Sequence, residues 1–150
     1  MKEVFGNVWD YHADCVCIPT NGTVNRRGEC VMGRGVARQA KERYPGLAKW
    51  IGDIIHSHGN VLHLLGELEH GRDLLCTFPV KHEWFHTASP SLIRKSAGEL
   101  KVLAEKWTDK VFVLPRPGCG NGGLFWETVR PLLEDLPDNV HVIDLPRTSL

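Results

Sequence analysis

The residue types best suited to chemistry in this chain are glycines, gathered in two turns. The first is Val31-Met32-Gly33-Arg34-Gly35-Val36-Ala37, where a polar stretch gives way to a helical pattern. The second is Gly118-Cys119-Gly120-Asn121-Gly122-Gly123, with four glycines in six residues, denser than a turn needs. A residue without a Cβ lets a ligand approach the backbone closely. Free N–H groups at a helix N-terminus, or in consecutive positions of a loop, attract anions. Two such loops side by side would grip a diphosphate from both sides. Glycines also make plain tight turns, and for Gly33 and Gly35 taken alone that reading stays equally open.

Two other motifs compete for attention. Gly118-x-Gly120-x-x-Gly123 matches the dinucleotide fingerprint, with Asp144 about 20 residues on. Against it, Pro115 and Pro117 separate the preceding strand from the glycines, the unit lies late in the chain, and 150 residues are few for the six-stranded dinucleotide fold. No G-x-x-x-x-G-K-[ST] segment is present, so the phosphate loop of nucleotidases is not written here. His82-Glu83-Trp84-Phe85-His86 matches H-E-x-x-H, whose logic needs both histidines on one helical face and the glutamate beside a metal-bound water. Pro79 and Pro90 leave such a helix little room, and the only later histidine is His141. No metal and no cofactor are expected.

The elements that position these turns are legible in outline. Lys2–Val8 is a short strand candidate. Asp14–Pro19 is a buried strand stopped by Pro19, with Cys15 and Cys17 on one face. Thr20–Glu29 is too rich in Asn, Gly and Arg for regular structure. Arg34–Arg43 reads as a helix with Val36, Ala37 and Ala40 on one side, and Leu47–His56 as a second. Val61–Leu65 and Leu74–Phe78 have strand length. Ser89–Trp107 is the strongest helix: Ser89 caps it, Pro90 suits its first position, and Leu92, Ile93, Ala97, Leu100, Leu103, Ala104 and Trp107 form one stripe. Val111–Leu114 is a strand, Thr128–Leu136 a helix, and Val140–Ile143 the last strand. Strands alternating with helices imply an α/β domain, its sheet covered on both faces.

Composition narrows the function classes. The 18 Lys plus Arg balance the 18 Asp plus Glu. Neutrality opposes a broad basic face for bulk nucleic-acid binding, though it leaves room for a local basic site. No apolar run approaches the roughly 18–20 residues needed to cross a bilayer, and the N-terminus lacks the apolar stretch of a signal peptide. Five cysteines without a C-x-x-C pair suit reduced thiols in the cytoplasm. One domain over residues 1–150 and a monomer are expected.

Four segments together resemble a macrodomain, an ADP-ribose-binding module built on a mixed six-stranded sheet flanked by helices. They are Gly6-Asn7-Val8-Trp9-Asp10; Ile18 through Gly22 with Val31 through Ala37; Phe78-Pro79-Val80-Lys81-His82-Glu83-Trp84; and Pro115 through Trp126. The resemblance covers nearly the whole chain. It runs to the branch that contains the terminal ADP-ribose–protein glycohydrolase and the antitoxin that removes ADP-ribose from DNA.

The resemblance implies roles for particular residues. Asn7, with Val8, stands where many macrodomains use an Asp toward the adenine amino group. Thr20 and Asn21 would lie near the distal ribose, and Met32, Gly33, Arg34, Gly35 and Val36 along the diphosphate and that ribose. Pro117 through Leu124 (Pro117, Gly118, Cys119, Gly120, Asn121, Gly122, Gly123, Leu124) would close from the other side. Lys81 would sit at the anomeric carbon of the distal ribose. A lysine amine in a partly desolvated site can attack an opened ribose aldehyde, and as a cation it can stabilise a leaving group. Gly122 and Phe125 stand where relatives acting on protein carry acids, which weakens carboxylate-assisted removal from protein side chains. Arg26 and Arg27 are outlying candidates, and Trp126 is expected to pack. The implied activity is cleavage of the bond between ADP-ribose and a DNA or protein conjugate. A non-catalytic reader and an ADP-ribose 1″-phosphate phosphatase are the alternatives.

Overall fold

The computed structural model describes residues 1–66 and 74–146. Its strands are β1 (Lys2–Phe5), β2 (Cys15–Asn21), β3 (His63–Leu65), β4 (Leu74–Lys81), β5 (Phe112–Pro115) and β6 (Val140–Asp144). Its helices are α1 (Gly35–Arg43), α2 (Leu47–His58), α3 (Pro90–Lys106) and the single turn α4 (Trp126–Val129). The strands form one six-stranded sheet in the order β1-β6-β5-β2-β4-β3. Every neighbouring pair is parallel except β3 with β4. This is the α/β architecture that the alternation of strands and helices implied, in the mixed six-stranded form that the macrodomain resemblance implied.

Side chains alternate across the sheet as a two-residue period requires. On one face Cys15, Cys17, Cys76, Phe78, Phe112, Leu114, Val140 and Val142 pack under Ile93, Ala97, Leu100 and Ala104 of α3. On the other, Ile18 and Leu75 meet Ala40 of α1 and Leu47, Ala48 and Ile51 of α2. The α3 stripe is buried as its period predicts, and Ser89 caps the helix, its Oγ accepting the Leu92 N–H at 3.3 Å. The paired strand cysteines are fully buried. Hydrogen bonding with Cys17, together with burial, pushes the Cys15 thiol well above its ordinary range.

Several elements differ from their sequence reading; β4, read as Leu74–Phe78, runs on through Pro79 to Lys81. β2 does not stop at Pro19 but runs on to Asn21. Its pairing with β5 involves only Cys15 and Val16, so the missing proline N–H breaks no ladder bond on that side. The helix expected over Thr128–Leu136 is only α4 followed by a 3-10 turn at Arg130–Leu133; Pro131 withholds the N–H that a longer α-helix would need. β1 ends at Phe5, and Asn7 opens a turn by accepting the Trp9 N–H on Oδ1 at 3.0 Å.

One close approach anchors the long polar segment between β2 and α1. A Cβ on Gly52 of α2 would fall 2.0 Å from the Gly28 carbonyl oxygen. The Cys30 N–H donates to the Ala48 carbonyl at 2.9 Å beside it. Gly52→Ala therefore has to displace backbone, and we expect a loss of about 3 kcal/mol in urea unfolding.

His63 and His141 give the fold a dependence on acidity. Burial, then the nearby His58, lowers the His63 pKa from its ordinary 6.5. Burial, then Lys2, lowers that of His141, whose Nδ1 meets the Tyr11 hydroxyl at 2.6 Å. Folding favours both neutral rings, so their contribution is complete above the unfolded value and is lost as pH falls through the lowered folded value. The melting temperature is expected to drop between pH 7.5 and 5.5, and less steeply in the double variant His63→Gln/His141→Gln.

Candidate functional site

Five parallel strands end at one edge of the sheet, and the loops beyond them enclose a cleft of about 990 Å³. Carboxyl ends of parallel strands are where α/β sheets bind ligands. The wall takes Gly6, Asn7 and Val8 from beyond β1, and Pro19 through Asn21 with Val31 through Ala37 from β2 to α1. Lys81 is the last residue of β4 and residues 84–87 follow it; part of the 115–123 segment comes from the end of β5 onward, and Asp144 ends β6.

The first glycine loop is held by Asn21. Its amide nitrogen donates to the Val31 carbonyl at 2.9 Å, and its Oδ1 accepts the Thr23 N–H at 3.0 Å. The loop delivers the chain to α1 with Arg34 as N-cap and no side chain capping the helix. The first N–H groups of an α-helix have no partner within it, so α1 presents donors to the cleft. Gly33 is not required by the fold: nothing lies within 4 Å of where its Cβ would stand, and its φ is not in the left-handed range.

The second loop uses two of its glycines for close packing. Gly118 and Gly122 fit against the start of α3, where added Cβ atoms would come 2.7 Å from Ile93 Cδ1 and 3.0 Å from the Ala88 Cβ. The Ala88 N–H donates to the Gly122 carbonyl at 2.9 Å. The two loops meet at Asn121, whose Nδ2 lies 3.4 Å from an added Cβ on Gly35. Burial pushes the half-buried Cys119 thiol above its ordinary value.

Lys81 bridges the strand edge to this second loop. Its Nζ donates to the Trp84 carbonyl at 3.3 Å and to the Asn121 carbonyl at 3.5 Å. The following segment, His82–His86, is bend and turn without helix, so the zinc-protease motif lacks the geometry it needs. Glu83 is engaged instead by the Thr23 hydroxyl at 2.6 Å. Among the described residues, no three His, Cys, Asp or Glu side chains gather as a metal would require.

Arg116 organises the far end of the cleft. Its guanidinium lies 4.5 Å over the Trp126 ring and 5.8 Å over Phe5. It pairs with Asp144 at 3.4 Å and Glu3 at 3.9 Å. Trp126 therefore serves as a shelf for Arg116, half-buried, and donates its Nε1–H to Glu3 at 3.0 Å. A hydrogen bond from Arg130 holds the Glu3 carboxyl below its usual range, against the effect of burial.

Most of the residues singled out by sequence stand on this cleft: Asn7, Val8, Thr20, Asn21, Met32 through Val36, Lys81, Gly118 through Gly123. Pro117 and Leu124 do not; Pro117 is buried behind the wall and Leu124 packs on the core. Arg26 and Arg27 are exposed on a turn away from it. Sequence reasoning overlooked Gln39 and the run Trp84, Phe85, His86 and Thr87 as lining residues. Three consecutive aromatic side chains between two prolines, with no strand or helix period, were the available signal.

No family model matches the sequence. The chain is 32% identical over 134 residues to the DNA ADP-ribosyl glycohydrolases of Mycobacterium tuberculosis and Mycobacterium bovis. The match covers 83% of this chain and 37% of each relative, so the chain spans little more than a third of the length of the curated relatives it matches. The DarG macrodomain of Mycobacterium tuberculosis superposes with a TM-score of 0.76 at 24% identity, covering 97% of both chains. That of Thermus aquaticus DarG gives 0.74 at 26% identity, again over 97% of both. Thermosipho africanus DarTG, solved in complex with ADP-ribose, gives 0.79 at 21% identity over 97% of this chain and 42% of that one. With the sheet order, the paired glycine loops and these likenesses in hand, the chain has the macrodomain fold.

Proposed function

We propose that this macrodomain binds ADP-ribose in the cleft and hydrolyses the bond between the distal ribose and a DNA base. The observation that carries the reading is the junction at Asn121. There the uncapped start of α1, the second glycine loop and the Lys81 amine come together, with Gly35 near the Asn121 side-chain amide and Lys81 at the Asn121 carbonyl. Backbone N–H groups from the two loops suit a diphosphate. An amine held beside them suits chemistry on the sugar next to it. The mycobacterial relatives, which share a third of their residues with this chain over the matched region, are DNA ADP-ribosyl glycohydrolases, and that favours DNA over protein as the conjugate.

In this reading Asn7 and Val8 meet the adenine. The Asn7 Oδ1 already accepts from Trp9 and keeps one lone pair for the adenine amino group. Thr20, Asn21 and Met32 through Val36 follow the distal ribose and diphosphate, and Gly118 through Gly123 close over the phosphates. Lys81 acts at the anomeric carbon. As an amine it adds there while the base departs with a proton; the glycosylamine so formed opens its ring C–O bond to the imine as a proton passes from the lysine nitrogen to the ring oxygen, and water then hydrolyses the imine to free ADP-ribose and the lysine. As a cation it instead stabilises charge on the departing base. Borohydride trapping of the protein on ribose separates the two roles.

A reader without chemistry is the second reading, favoured by the lack of any acid between Gly118 and Leu124. Retained binding with no turnover of ADP-ribosylated DNA, ADP-ribosylated protein or ADP-ribose 1″-phosphate would select it. A cytoplasmic monomer completes the proposal, and the five free cysteines suit a reducing compartment. No described helix is long and apolar enough to cross a membrane.

Two variants test the proposal. Lys81→Ala is expected to slow turnover of an ADP-ribosylated oligonucleotide by about 100-fold or more; unchanged turnover would remove Lys81 from the chemistry. Gly33→Val is expected to leave stability within about 0.5 kcal/mol, because its Cβ has open space around it. It should still weaken ADP-ribose binding in calorimetric titration, since that space is where the ligand would lie.

A further inference from the structure

Trp84 and Phe85 are 54% and 65% exposed, although rings of this size usually supply core packing. Neither belongs to the three buried clusters among the described residues, yet both line the cleft. They meet edge to face, centroids 5.8 Å apart at 80°.

The turn beneath them is pinned from several sides. The Thr23 hydroxyl accepts the Trp84 N–H at 2.9 Å while donating to Glu83 at 2.6 Å. The Gly22 N–H donates to the His82 carbonyl at 3.1 Å. The Asn60 amide donates to the Lys81 carbonyl at 2.9 Å. The Trp84 carbonyl in turn accepts from Lys81 Nζ at 3.3 Å. The backbone is therefore held firmly, and the rings at its tip pack edge to face on each other and, for Phe85, on His86 at 4.6 Å, outside the buried clusters of the described residues.

We propose that Trp84 and Phe85 form a stacking platform for the nucleobase attached to ADP-ribose, and so set preference for the conjugate over free ADP-ribose. This rests on the function proposed above. If Lys81 marks the anomeric carbon, the group bonded to that carbon lies against the residues beside Lys81, and those are these rings. An aliphatic or carboxylate side chain of a protein conjugate presents no π face to them, whereas every base does. A base stacked here has left its own helical stack, as a base in single-stranded DNA or one flipped out of a duplex has.

The test is equilibrium binding in a Lys81→Ala background, which preserves the substrate, with turnover by the unaltered protein measured alongside. The probes are free ADP-ribose and a single-stranded oligonucleotide carrying one ADP-ribosylated base. The conjugate is expected to bind about tenfold more tightly than ADP-ribose, the scale of one base–aromatic stack. Adding Trp84→Ala or Phe85→Ala should erase that preference. Trp84→Phe should keep it, and Trp84→Leu should not, which separates a π face from simple bulk. The Phe85 backbone makes none of the bonds that pin the turn, so Phe85→Ala remains informative should Trp84→Ala disturb the fold. If ADP-ribose binds but the conjugate shows no preference, or the preference survives both alanine changes, the platform is overturned and the function proposal stands. If neither probe binds and the unaltered protein turns over no conjugate, the function proposal falls and the platform falls with it.

Discussion

The site depends on how two neighbouring strands end. β2 and β4 run parallel and in register until Thr20 faces Pro79; the register then shifts, and Asn21 faces Lys81. Val80, skipped by the pairing, stays buried on the core side, and its carbonyl accepts the Ser89 N–H that starts α3. Such an irregularity re-aims side chains at the end of a ladder. Here it sets an amide and an amine side by side at the strand edge. The amide ties down the first glycine loop, and the amine reaches the second.

The second consequence concerns charge. The molecule carries no net charge, and the arginine at the far end of the cleft is already paired with Asp144 and Glu3. What the cleft offers an anion is mostly backbone: the free start of α1 and a loop in which four of six residues are glycine. Partial charges of this kind are fixed in direction by the fold and do not need to be gathered from solvent. A neutral protein can therefore suit one small diphosphate while lacking the broad basic face that coats nucleic acid.

The segment after β4 shows how context reassigns a motif. His82 and His86 have the spacing of a metal site, but Pro79 and Pro90 bracket them too tightly for a helix. Thr23, from the loop after β2, takes the Glu83 carboxylate and the Trp84 N–H. What remains is a pinned turn that carries exposed rings beside an amine. The same residues thus line a cleft and do not hold an ion.

By itself the sequence determined what local physics decides. The capped α3 follows from Ser89, Pro90 and a 3.6-residue stripe, and the alternating buried strands follow from their apolar runs. The density of glycines between 118 and 123 already marked a loop built for close approach. The macrodomain resemblance carried the rest of the outline. Tertiary structure alone decided that β2 passes through Pro19, because only the end of β5 pairing leaves that position free. It alone showed Gly28 against Gly52, Asn121 between Gly35 and Lys81, and Trp84 and Phe85 at the mouth. Each of these is a contact between residues far apart in the chain, and no periodicity or spacing along one segment encodes which distant segment will face it.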